Sequence, residues 1–88
     1  MDAYMQCLYD HITGRLAERL REDPGYRRLV DAWADAGEAL EAGLSPEQSR
    51  LLDRCQCAEA DMLSRENETL FLEGVALGRW LTSQTASP

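Results

Sequence analysis

Apolar residues recur along the chain with the period of a helix rather than a strand. Tyr4, Leu8, Ile12, Leu16 and Leu20 fall at every fourth position, with Met5 and Tyr9 beside them. This spacing draws a single stripe that drifts slowly around a helix, predicted over residues 3–21. Gly14 weakens that helix modestly. Asp23-Pro24 marks a second start, because Asp accepts bonds from free N–H groups and Pro loses nothing at the first helical position. The second helix is predicted over about 24–42, with Tyr26, Leu29, Val30, Trp33, Gly37 and Leu40 on its inner face. Gly43 suits the left-handed position that often ends a helix.

Ser45-Pro46-Glu47-Gln48 is the sharpest local signal. Ser45 caps, Pro46 opens the helix, and Gln48 reaches back to close a capping box. Beyond it, no Gly or Pro occurs until Gly74. Leu51, Leu52, Cys55, Ala58, Met62 and Leu63 form one amphipathic run, and Leu70, Phe71, Val75, Leu77, Gly78 and Leu81 form another. The stretch between, Ser64-Arg65-Glu66-Asn67-Glu68-Thr69, is wholly polar. It fits either one continuous helix to about Thr82 or a kinked pair, and continuity is the expectation. The fold class is therefore all-α: an antiparallel three-helix bundle with a long third helix, in one domain over residues 1–82. Residues 83–88 are expected to form a disordered tail.

Charge narrows the functions. The 88 residues carry 16 acidic and 9 basic groups, a net charge of −7, and every basic residue is Arg. An acidic chain repels phosphate backbones, so no nucleic-acid partner is expected. Arg27 and Arg28 form the only adjacent pair, and Glu22 and Asp31 flank them. No window of about 20 residues is apolar and charge-free, so no membrane span is expected. The opening residues lack a basic, then apolar, leader pattern. With three Cys, this points to reduced thiols in the cytoplasm.

Polar chemistry is sparse. Cys7, His11, Cys55 and Cys57 supply the residue types of a zinc site. Residues two apart on a helix point about 200° from each other, so Cys55 and Cys57 cannot share one ion on a regular helix. No metal is expected. His11 has no nucleophile beside it, its neighbour Asp10 projects from a different angle, and Ser45, Ser49 and Ser64 have no nucleophile context. Glu38, Glu41, Glu59, Asp61, Glu66, Glu68 and Glu73 read as a solvated acidic face, because the Glu-x-x-His motif of carboxylate metal bundles is absent. No Gly-rich phosphate loop occurs. No catalytic residue, metal ligand or cofactor-binding residue is assigned.

The last helix carries Gly74-x-x-x-Gly78, two small residues on one face. Each costs helix propensity, which points to close approach by another helix backbone. Phe71, Gly74, Leu77, Gly78, Trp80 and Leu81 are the predicted packing or interface residues. Leu8-Tyr9-Asp10, Asp23-Pro24-x-Tyr26, Leu44-Ser45-Pro46-Glu47 and Phe71-x-x-Gly74-x-x-Leu77-Gly78 follow in that order. Over residues 4–82 this order resembles a small uncharacterised all-helical family of Gram-positive gut bacteria, some of whose members travel with mobile elements. The resemblance implies the helical fold and transfers no catalytic residue.

Rich apolar faces without converging polar groups favour a non-enzymatic, cytoplasmic protein-protein interaction module, with a homodimer as one form of it. An acidic inhibitor or decoy from a mobile element is the alternative, acting on a basic protein surface in a salt-sensitive way. A small all-helical enzyme of chorismate mutase type ranks third. Arg15, Arg19, Arg27 and Arg28 would face an anionic substrate there, but they do not form a coherent inward-facing set.

Overall fold

A computed structural model describes residues 1–85. It contains three α-helices: α1 (Ala3–Arg21), α2 (Pro24–Ala42) and α3 (Pro46–Thr85). The boundaries follow local chemistry. Asp2 caps α1, its carboxylate accepting from the Met5 N–H at 2.8 Å. Asp23 caps α2 twice over, accepting from Gly25 N–H at 2.9 Å and Tyr26 N–H at 3.2 Å, and Pro24 follows at the first helical position. Ser45 and Gln48 close the predicted box in both directions. The Ser45 N–H donates to Gln48 Oε1 at 2.9 Å, and the Gln48 N–H donates to Ser45 Oγ at 3.2 Å. Such caps satisfy N–H groups that the first turn leaves without partners.

Two local expectations change. Gly43 ends α2 with φ −98° and ψ 0°, outside the left-handed region. Its N–H bonds the Leu40 carbonyl at 3.1 Å and the Leu44 N–H bonds the Glu41 carbonyl at 3.1 Å, so a tightened last turn ends the helix without a sign change in φ. Ser83, Gln84 and Thr85 belong to α3, where the sequence predicted the tail to begin; residues 86–88 lie outside the described residues.

The polar stretch at 64–69 does not interrupt α3, which is helical for 40 residues, about 60 Å. Its residues are good or tolerable helix formers. The Thr69 hydroxyl donates to the Arg65 carbonyl at 2.9 Å, a bond made within the turn. A kink is therefore not needed to explain the polar gap between the two amphipathic runs.

Contacts divide the chain into two units, Met1–Asp53 and Arg54–Pro88, with α3 running through both. In the first unit, α1 touches α2. Leu20, Tyr26 and Val30 meet around their junction, with Arg21, Arg27 and Asp31 at the edges of a groove of about 210 Å³. The second unit is one helix among the described residues. Neither unit by itself is a closed bundle, and no described residue is buried. The α2 face expected to turn inward stands open: Leu29 and Trp33 are exposed, Trp33 at 71%. The reason lies in element number. Two helices and the first turns of a third offer each apolar stripe too few neighbours to cover it.

Candidate interaction surface

The surface features of each helix begin with its register. On α2, Leu29, Trp33 and Leu40 lie within about 40° of one another at 100° per residue, and all three are exposed. On α1, Tyr4, Leu8, Ile12 and Leu16 are exposed, while Met5, Tyr9 and Leu20 are half-buried. In the second unit, Leu63, Leu70, Leu77 and Leu81 follow one narrow strip of α3 and are exposed, Leu70 at 72%. Phe71 and Val75, on the neighbouring strip, are half-buried. The two strips of one helix thus differ in cover.

The six residues predicted from sequence divide accordingly. Gly74, Leu77 and Leu81 lie on the open strip. Trp80 flanks it on one side and is exposed, and Phe71 flanks it on the other. Gly78 lies between the strip and Phe71. A Cβ added at Gly74 or at Gly78 would meet nothing within 4 Å. Among the described residues, the close backbone approach that the two glycines predicted is not made. Gly78→Ala is accordingly expected to raise stability by about 0.5–1 kcal/mol, the usual gain of Ala over Gly in a helix interior. Chemical denaturation measures it, and a loss of stability would show that a neighbour occupies the space.

Leu63 and Leu70 were not among the predicted interface residues. The signal for them is the seven-residue spacing of Leu63, Leu70 and Leu77, which a search for four-residue recurrence passes over.

Polar groups are distributed along the helices. Arg15, Glu18, Arg19, Arg21 and Glu22 line an open depression of about 370 Å³ at the end of α1. Arg27 lines the α1–α2 groove instead. Among the described residues, no three His, Cys, Asp or Glu side chains come together in a way that could hold a metal ion. Cys7, Cys55 and Cys57 are free thiols, all exposed. Among the described residues, no helix is long and apolar enough to cross a membrane.

A model described as a family of unknown function, DUF6809, matches residues 1–84. The chain belongs to DUF6809. The match takes in α1, α2 and all of α3 but its last residue, so the caps, the junction groove and the open α3 strip all lie within the DUF6809 region. No curated protein and no solved structure matches the chain. Membership in DUF6809 supplies no residue role, and the functional reading rests on the surface itself.

Proposed function

We propose that the chain is a non-enzymatic, cytoplasmic helical module that works by presenting apolar helix faces to other protein chains, a second copy of itself included. The observation that carries this reading is the set of large apolar side chains standing open in register on each helix, with Leu29 and Trp33 foremost on α2. Contiguous open apolar surface is costly in water and marks binding surfaces. Trp is enriched among residues that dominate binding energy. An amphipathic helix offering anchors three and four residues apart is a common recognition element. Three exposed free thiols suit a reducing compartment.

The test is affinity capture from the native host, comparing the unaltered chain with Leu29→Glu as bait. Leu29 is exposed, so the substitution leaves the chain's own packing in place, which circular dichroism checks. The reading expects a protein retained in stoichiometric amount, retained equally at high salt, and lost with Leu29→Glu. Equal retention by both baits overturns it. Retention that disappears with salt overturns it in favour of an acidic decoy bound by charge.

A further inference from the structure

The open strip of α3 has a second regularity. Leu63, Leu70 and Leu77 stand seven residues apart, and so do Ala60, Asn67, Gly74 and Leu81. The two series interlock at spacings of three and four, the a and d pattern of a coiled-coil seam, with the three leucines at d. Every leucine of the seam is exposed within the chain. We propose that residues 60–81 of α3 form a parallel, in-register, two-stranded coiled coil with a second copy of this chain. The proposal rests on the reading of the chain as an interaction module and names the partner for this one face.

Asn67 chooses the occupant. It interrupts an otherwise apolar seam at an a position, and it is exposed in the single chain. An apolar groove on a different protein would bury its amide without a partner, which is costly. A second copy in parallel register places Asn67 opposite Asn67, and the two amides bond each other. A lone Asn at a is known to fix register and favour two strands in this manner.

Charge chooses the direction. The g positions beside the seam are Glu59, Glu66, Glu73 and Trp80, three of the four acidic. An antiparallel pair over the full seam would face g positions with one another, setting Glu66 against Glu73 of the other copy, carboxylate against carboxylate. In a parallel pair each glutamate faces the e position five residues on in the partner, which is Ser64, Phe71 or Gly78. None of these is acidic, so the repulsion is avoided.

Area sets the strength. The seam is about 33 Å long, and two such helices would bury about 1,200 Å² in total, at the lower edge of stable interfaces. A dimer with a micromolar dissociation constant is the expected result.

Sedimentation equilibrium of the full chain from low micromolar to near-millimolar concentration tests this. A monomer–dimer equilibrium is expected for the unaltered chain. Leu70→Glu should weaken it by at least about a hundredfold, because it buries a charge in the seam. Leu72→Glu, on the far side of the helix, should leave it unchanged. Asn67→Val should tighten association and admit species larger than dimers. Direction is read with Leu81→Cys in a chain also carrying Cys7→Ser, Cys55→Ser and Cys57→Ser. Mild oxidation should link its two copies by a disulfide; antiparallel copies would hold these thiols at opposite ends of the seam. A chain monomeric throughout, a dimer indifferent to Leu70→Glu, or a dimer that Leu81→Cys fails to link overturns the proposal. Those results would leave capture through Leu29 untouched, and a failure of capture would leave the dimer untouched, so the two readings fail separately.

Discussion

Glu66→Pro is expected to remove a large part of the helical signal at 222 nm. Residue 66 lies inside a 40-residue helix, twenty positions from its start. Proline there deletes the hydrogen bond to the Met62 carbonyl, and its ring collides with that carbonyl, for a cost of about 3 kcal/mol or more. Residue 65 is also pushed toward extended backbone, so the break spreads back by a turn. The size of the effect comes from what lies beyond the break. The remaining segment, 67–85, carries Gly74 and Gly78 in its interior and has no partner helix in its unit, so alone it is only marginally helical in water. No buried core rescues it, because none of the described residues in this unit is buried. Glu66→Ala serves as the control and should keep or slightly raise the helical signal. An unchanged spectrum for Glu66→Pro would mean that residues 64–69 are not helical in solution.

Asp23→Ala combined with Ser45→Ala is expected to cost about 2 kcal/mol of stability, measured by urea denaturation followed by circular dichroism. Each substitution removes an N-cap of about 1 kcal/mol. At Asp23 two N–H groups lose their acceptor, those of Gly25 and Tyr26. At Ser45 the Gln48 N–H loses the hydroxyl, while the Gln48 side chain keeps its bond to the Ser45 N–H. The Ser45 single variant should therefore be the milder of the two. The caps lie at separate helix starts with no shared partner, so the two losses should add. In a protein with a large core such losses are small beside total stability. Here the helices have little packing to fall back on, and capping is a larger share of what holds the chain. A double variant as stable as the parent would show that tertiary or intermolecular packing, rather than the caps, sets the helix starts.

Helix existence and helix limits were legible in the sequence because their causes are local. Asp23-Pro24 and Ser45-Pro46-Glu47-Gln48 set their helix starts through contacts no more than three residues apart, and the structure reproduces both. The continuity of α3 through Ser64–Thr69 was legible for the same reason, since no residue there breaks a helix. The end of α2 was less so. Gly43 permits a left-handed turn without requiring one, and the backbone closes with bonds to Leu40 and Glu41 at negative φ instead.

Which apolar stripe is covered was not legible at all. A stripe records that one face prefers to leave water; it does not record whether the cover comes from the same chain. Leu29 and Trp33 read from periodicity as an inner face, yet they are exposed. Gly74 and Gly78 read as a point of close approach, yet among the described residues a side chain at either would meet open space. By itself the sequence determined three helices and their starts, through capping and propensity acting over a few residues. Only the tertiary structure decided that Leu29 and Trp33 on α2, and Leu63, Leu70, Leu77 and Leu81 on α3, stay open, because cover for a stripe must come from beyond its own helix and neither unit by itself supplies enough of it.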